Sequence, residues 1–334
     1  MQSKSRMTRR SLLATGGALG AAMVLGPGPL HAQELRKVTI GMPGGNVAMT
    51  QIELMKRKGY LKELGLEPDF VVVTDGTKLV SAIMSGDVDL CPGAGFGQVL
   101  TAIEKGASLK VIGGCCVLIP QALFSANEEV KTLKDLEGRT IGTGAPGALL
   151  HNMTVAMLRK NGVDWNKVRF VNVGSSAQVF RAVAAGTVDA GPSLVDVYDQ
   201  QEKYGVHVVA DYWTEIPQYP YQAAFTATRT IESDREKLVK TLAAFGRLYD
   251  FLQSDGSEAE FVDAWAAASG GGEAEAKTQW NFLNKAKPFD LMLKQDSIDY
   301  LQALNLELGI QQKQVPLDVL TDFTLATEAK ALIG

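Results

Sequence analysis

The sequence predicts an α/β protein of two similar lobes, each a mainly parallel sheet flanked by helices. Three observations predict it. Short β-rich runs alternate with helical segments, and the alternation restarts near Thr140. A gapless shift of one hundred residues lays Phe70, Val71 and Val73 on Phe170, Val171 and Val173. The same shift lays Gly86, Val88, Asp89 and Pro92 on Gly186, Val188, Asp189 and Pro192. The 334 residues also exceed what one compact core usually takes.

Taken in order, Lys37 to Gly41 is a strand, Val47 to Lys58 a helix, and Phe70 to Val73 a strand. Lys78 to Met84 is a helix, Val88 to Cys91 a strand, Gly97 to Lys105 a helix and Leu109 to Ile112 a strand. The second cycle runs through the strand Thr140 to Thr143 and the helix Leu149 to Lys160. It continues with the strand Val168 to Val173, the helix Gln178 to Ala184, the strand Val188 to Ala190 and a helix from Leu194 to Lys203. An aromatic stretch with Tyr212, Trp213, Tyr219 and Tyr221 follows, then a strand from Gln222 to Thr228. Arg235 to Gln253 is the clearest helix, with Leu238, Leu242, Phe245 and Leu248 on one face. Helices over Phe261 to Ala268, Glu273 to Ala286, Asp296 to Gly309 and Leu317 to Ala326 complete the chain.

The first 32 residues carry Lys4, Arg6, Arg9 and Arg10, then an apolar run from Leu12 to Leu25, then Pro27, Pro29 and Ala32. That order predicts a secretory signal cleaved near Ala32, and Arg9-Arg10 fits the twin-arginine route. The mature protein is therefore expected in the periplasm. Hydrophobic residues make up 46% and charged residues 21% of the chain, which suits a folded protein. A formal net charge of -4 argues against a nucleic-acid partner. Cys91, Cys115 and Cys116 form no disulfide framework and read as small buried hydrophobes.

In open α/β sheets ligands bind beyond the carboxyl ends of strands, where helix N-termini offer free N–H groups. The candidate loops in the first lobe are Gly44-Gly45-Asn46, Thr74-Asp75-Gly76-Thr77 and Gly93-Ala94-Gly95-Phe96-Gly97. In the second they are Gly144-Ala145-Pro146-Gly147-Ala148, Gly174-Ser175-Ser176 and Gly191-Pro192-Ser193. Glycine lets the backbone approach a ligand, and Ser or Thr supplies a hydroxyl. His151, beside the Gly147 turn, reads equally as a structural histidine or a ligand contact. Phe96 and Tyr219 could stack on a ligand or fill the core. Enzyme signatures are poor. The chain has three His, no metal-ligand spacing, no phosphate-binding Gly-Lys loop and no nucleophile elbow. No cofactor and no metal are expected.

Several local patterns carry a resemblance. They are Lys37-Val38-Thr39-Ile40-Gly41 with its Gly-Gly loop, Ser85-Gly86-Asp87-Val88-Asp89 before Pro92-Gly93-Ala94-Gly95, and Leu133-Lys134-Asp135-Leu136-Glu137-Gly138-Arg139-Thr140-Ile141-Gly142. Gly147-Ala148-Leu149-Leu150-His151 and Ala185-Gly186-Thr187-Val188-Asp189-Ala190 complete the set. In order and spacing the chain resembles the periplasmic binding proteins of nitrate, sulfonate, taurine and thiamine-precursor ABC transporters, from about Lys37 to Leu252. The resemblance implies a type II-like periplasmic-binding-protein fold. Lobe 1 would span residues 33–120 and 223–334 and lobe 2 residues 121–222, with crossovers near Gln121 to Ala126 and Gln222 to Thr228. It implies ligand contacts at Gly45, Asn46, Ala94, Gly95, Phe96, Gly147, Ala148, Ser175 and Ser176. It also implies a monomer that hands a sulfonate, carboxylate or aromatic acid to a membrane permease. Ala148 stands where the family often has Ser, which removes a hydroxyl donor. The alternatives are an enzyme of the pyrimidine-precursor synthase type on the same fold and an exported sensing receptor.

Overall fold

The computed structural model describes residues 35–73 and 75–333; the expected signal segment lies outside them. Two five-stranded sheets organise the chain. The first has the order β2-β1-β3-β10-β4, from β1 (Arg36–Met42), β2 (Leu66–Val72), β3 (Leu90–Ala94), β4 (Leu109–Gly114) and β10 (Ala223–Ala227). The second has the order β7-β6-β8-β5-β9, from β5 (Gln121–Ser125), β6 (Thr140–Thr143), β7 (Arg169–Asn172), β8 (Ala190–Leu194) and β9 (His207–Asp211). The two orders superpose strand for strand. In each sheet the first three strands are parallel and the fourth is antiparallel.

The fourth strand of each sheet comes from the other half of the chain. β5 follows β4 in sequence yet pairs in the second sheet, and β10 follows β9 yet pairs in the first. The segments expected as crossovers are therefore the exchanged strands themselves. The chain passes between sheets just before them, at residues 115–120 and 212–222. These passages lie side by side, with Gln222 N–H donating to Cys116 O at 2.8 Å. A third segment joins them: Asp290 N–H donates to Cys115 O (2.9 Å) and Val117 N–H to Pro288 O (2.7 Å). Gly114 is required here, because a Cβ would sit 2.4 Å from Asp290 O.

Both lobes bury branched and aromatic side chains between sheet and helices. Leu79, Ile83 and Val88 in the first lobe recur as Val179, Val183 and Val188 in the second, all nearly inaccessible. All three cysteines are buried and unbridged, as the sequence suggested. Burial pushes the Cys115 thiol up to about 11, and those of Cys91 and Cys116 are also raised by burial.

Several elements depart from the sequence reading, each for a visible reason. Leu194 to Lys203 is not one α-helix. β8 runs to Leu194, Val195 N–H bonds out to Pro120 O (3.2 Å), and a 3-10 helix, Val195–Gln200, precedes the short Gln201–Tyr204 helix. The long helix starts earlier, as Thr228–Leu252, and kinks at Asp234 (φ −155°, ψ 57°), whose carboxylate accepts from Lys237 N–H at 3.2 Å. Leu317 to Ala326 splits into Leu317–Leu320 and Thr324–Ile333, because Thr321 is extended and bridges to Val111. The sequence reading passed over β9, whose residues are all half-buried at a sheet edge.

The Val195–Gln200 segment packs on the Glu273–Ala286 helix. There burial, and then the negative charge of Glu275, push the Asp196 carboxyl up to about 6. The folded state thus holds this proton more tightly than the unfolded chain, and stability falls as pH rises from about 4 through 6. Asp196→Asn is expected to gain about 1–3 kcal/mol at pH 7.5 and almost nothing at pH 4. Urea midpoints at both pH values check this; an equal effect at both would rule it out.

Candidate functional site

Three helices begin at the carboxyl ends of parallel strands and point into the space between the sheets. They are Asn46–Lys58 after β1, Gly97–Glu104 after β3 and Leu149–Lys160 after β6. Their N-cap residues are Gly45, Phe96 and Ala148. None has a side-chain cap and none has an acidic residue in its first turn. Two helices that start at other strand ends in the lobes are capped. Asp75 accepts from Lys78 N–H (2.9 Å) at the Gly76–Ser85 helix, and Gln178 Oε1 accepts from Ser175 N–H (2.8 Å) at the Ser176–Ala184 helix. The first N–H groups of a helix have no acceptor within it, and the helix dipole makes that end positive. Uncapped ends of this kind suit an anion or a polar oxygen.

Two cavities lie there. The larger, about 410 Å3, is bounded by Gly95, Phe96 and Gln98 on one side and by Gly147, Ala148, Leu149 and Asn152 on the other, with Tyr219 and Tyr221 between. A Cβ on Gly95 would meet Leu149 Cδ2 at 3.6 Å, so the loops of the two sheets approach to contact. Lys105, exposed at the rim, is the charged side chain among its lining residues. The smaller, about 100 Å3, lies against the Gly44 to Ala48 helix start, with Gln51, Gly93, Tyr221, Gln222 and Gln279 around it. No charged side chain lines it. Tyr221 borders both cavities; its hydroxyl accepts from Gln121 Nε2 (3.4 Å), which leaves its own proton free to donate. Burial pushes that phenol up to about 12, so it stays neutral near pH 7.

A third cavity, about 630 Å3, lies between Tyr198, Trp213 and the Glu273–Ala286 helix. It is roomier than these two, and two of its hydroxyls are already engaged, while Thr214, Asn281 and Lys285 also line it. The Tyr198 hydroxyl donates to Asp211 (3.1 Å) and the Thr278 hydroxyl to Asp199 (2.5 Å). No helix N-terminus of the kind above opens into it.

The structure brings together part of the residue set that the sequence singled out. Gly45 and Asn46 line the small cavity; Gly95, Phe96, Gly147, Ala148 and Tyr219 line the larger one. Ala94 is buried at the end of β3, one residue behind the lining. His151 is buried and faces inward: its Nδ1 accepts from Gly147 N–H (3.3 Å) and its ring meets Phe170 edge-on at 4.7 Å. It holds the Gly147 turn, as does Asn152 Nδ2, which donates to Gly147 O at 2.8 Å. Thr77 is exposed in the first turn of its helix and borders neither cavity. Ser175 and Ser176 also lie outside both, and Ser176 O accepts from the Ser193 hydroxyl at 3.5 Å. Pro192 and Ser193 do not form a loop. They are buried within β8, opposite Leu123 and Ala122 of the exchanged strand β5, which extends the strand past Gly191.

Sequence reasoning missed Gln51, Tyr221, Gln222 and Gln279 as lining residues. Tyr221 had a signal in the aromatic stretch. Gln51 and Gln279 are polar positions on the buried sides of ordinary helices and carry no local mark.

A family model described as "NMT1/THI5 like" matches residues 46–259, more than half of the chain. YtlA of Bacillus subtilis (strain 168), named as a binding protein, is 22% identical over 241 residues, 70% of each chain. Among solved structures, the periplasmic sulfonate-binding protein SsuA from Methylobacillus flagellatus KT superposes with a TM-score of 0.73 at 16% identity, covering 90% of this chain and 96% of that one. The periplasmic aliphatic sulphonate binding protein SsuA from Escherichia coli gives 0.71 at 21% identity, covering 86% and 92%. The desulfurization enzyme DSZB gives 0.62 at 17% identity, covering 89% and 99%. At these identities the likeness shows the fold, which is that of the periplasmic binding proteins.

Proposed function

Because the chain belongs to the NMT1/THI5-like family, we propose that it is the solute-binding component of an ABC importer and captures a small organic acid between its lobes. The observation that carries the reading is that three uncapped helix N-termini border two cavities that share Tyr221. The ligand class is a monoanion of sulfonate or carboxylate type with a polar, uncharged body. Backbone N–H groups would hold the acid, and Tyr219, Tyr221 and the neutral amides would hold the rest. The sulfonate-binding neighbours support this choice. The lobes are residues 33–120 with 223–334, and 121–222. They hinge on the paired passages at 115–120 and 212–222, and a ligand touching both favours closure. Export to the periplasm by a twin-arginine signal, a monomeric state and delivery to a membrane permease belong to the same reading.

The rival is an enzyme, since DSZB shares the architecture. Catalysis would need a nucleophile or base at the cavities. The titratable groups lining them are Lys105, Tyr219, Tyr221 and Cys116. Burial raises the Tyr219 and Tyr221 phenols and the Cys116 thiol, and all three stay protonated near pH 7. Thermal shifts of the purified protein against sulfonates, carboxylates, aromatic acids, nitrate and neutral solutes test the proposal. A ligand at a hundred times its dissociation constant adds about 2.7 kcal/mol, a clear rise in Tm. Shifts confined to acids support capture; shifts with neutral solutes alone, or turnover of any compound, overturn it.

A further inference from the structure

Gln279 lies in the middle of the Glu273–Ala286 helix, beyond the stretch that the family model matches. Its side chain is 1% exposed and lines the small cavity. Neither its Nε2 nor its Oε1 has a hydrogen-bond partner. A buried amide unpaired at both ends burdens the fold, and native proteins keep few of them. The uncapped start of the Asn46–Lys58 helix lines the same cavity.

The chemistry of Gln279 restricts what can satisfy it. An acid oxygen could accept from Nε2 but would then face the negative end of Oε1. A group with an acceptor and a donor on one edge satisfies both atoms, as a primary carboxamide or a lactam does. A cavity of about 100 Å3 has room for such a group. The remaining polar side chains there are Asn46, Gln51, Gln222 and Tyr221, again neutral.

We propose that Gln279 is a specificity-determining residue that pairs with a primary-amide or lactam edge of the ligand. Its Nε2 donates to the ligand carbonyl and its Oε1 accepts the ligand N–H. The acidic group of the same ligand lies in the larger cavity, at the start of the Leu149–Lys160 helix, with Tyr221 between the two ends. This rests on the binding role proposed above and narrows its ligand class to amide-bearing acids.

The test is calorimetric titration of the full chain with two matched probe pairs. These are 3-carbamoylpropanesulfonate against 4-methylpentanesulfonate, and glutaramate against 5-methylhexanoate. In each pair an amide replaces an isopropyl group of the same shape. The wild type should bind the amide of at least one pair tenfold or more tightly than its partner, because a polar site rejects an analogue that leaves it unpaired. Gln279→Met should bring that ratio close to one and raise the Tm of the unliganded protein. A merely structural glutamine would instead lower the Tm and leave the ratio unchanged. Acids that bind the wild type without an amide preference, or a preference that survives Gln279→Met, overturn this inference alone. If no acid, in these pairs or in the panel above, binds the wild type, the binding role falls and takes the inference with it.

Discussion

Ala148→Asp is expected to make the protein more stable and to cost it most of its affinity for acids. Ala148 is the N-cap of the Leu149–Lys160 helix, with extended backbone (φ −78°, ψ 164°) and no side-chain cap. Those angles are the ones an N-cap Asp adopts, so its carboxylate can accept from first-turn N–H groups. The gain should be about 1 kcal/mol, with a little more from the helix dipole. The same carboxylate then occupies the N–H groups a ligand would use and places a negative charge beside it. Two like charges about 4 Å apart repel by about 4 kcal/mol at an effective dielectric constant near 20. After screening, a loss of about 10²- to 10³-fold in affinity is expected. Ala148→Ser separates the two effects: it caps the helix without charge and should keep or improve acid binding. Urea denaturation and calorimetry on the same preparations read both quantities, using the acid with the largest thermal shift. Unchanged affinity in Ala148→Asp would remove this helix end from the site.

The sequence made the lobes legible because the hundred-residue shift matches positions that perform the same physical task. Gly86 and Gly186 both take left-handed angles (φ 91° and 66°) where a helix ends before the third strand of its sheet. Helix starts at the carboxyl ends of β1, β3 and β6 were legible too, since Gly and small residues mark a strand-to-helix turn. The same mark stands at Ser175, Ser176, Pro192 and Ser193, which border neither cavity. Glycine and serine look alike in a loop at the cavity, in a capped helix start outside it and in a buried strand. What separates those cases is pairing with distant chain, such as β5 against β8. Gln279 was beyond reach for a related reason. Its significance is the absence of a partner at a cavity whose wall is completed by a loop some 230 residues earlier.

The most destabilising substitution expected among these positions is Asp89→Ala, and its counterpart Asp189→Ala provides the control. Each aspartate ends the turn before the third strand of its sheet and clamps the strand beside it, β1 or β6. Asp89 Oδ2 accepts from Thr39 N–H and Asp189 Oδ2 from Thr140 N–H, both at 2.8 Å. Each returns its own N–H to the same residue's carbonyl at 2.9 Å. Each carbonyl accepts a hydroxyl from the exchanged strand, Thr226 in β10 and Ser125 in β5, both at 2.6 Å. The second carboxylate oxygens differ. Asp89 Oδ1 takes the Lys237 ammonium at 2.7 Å, whereas Asp189 Oδ1 takes the neutral Asn127 amide at 2.9 Å, with Arg139 at 4.0 Å. The Lys237 side chain is only 13% exposed, so removing Asp89 leaves a mostly buried charge with only the longer Asp234 contact at 3.6 Å, as well as an unpaired N–H. A loss of about 2–4 kcal/mol is expected for Asp89→Ala, against about 1–3 for Asp189→Ala.

Burial raises the Asp189 carboxyl, but the Thr140 and Asn127 hydrogen bonds outweigh it and hold the group below its ordinary range. Its contribution is therefore present above about pH 4 and lost as pH falls through the folded value. Urea midpoints at pH 7 check the ranking, and a repeat at low pH checks that the Asp189→Ala deficit shrinks. Losses below about 0.5 kcal/mol at both sites would mean that the clamps are decoration on a surface. The double variant asks the larger question. The two clamps share no partner and lie in different sheets, so their costs should add. Additivity means that each lobe carries its own fastening. Strong coupling would mean that the exchanged strands, rather than the repeated βαβ units, are what make the two lobes fold as one.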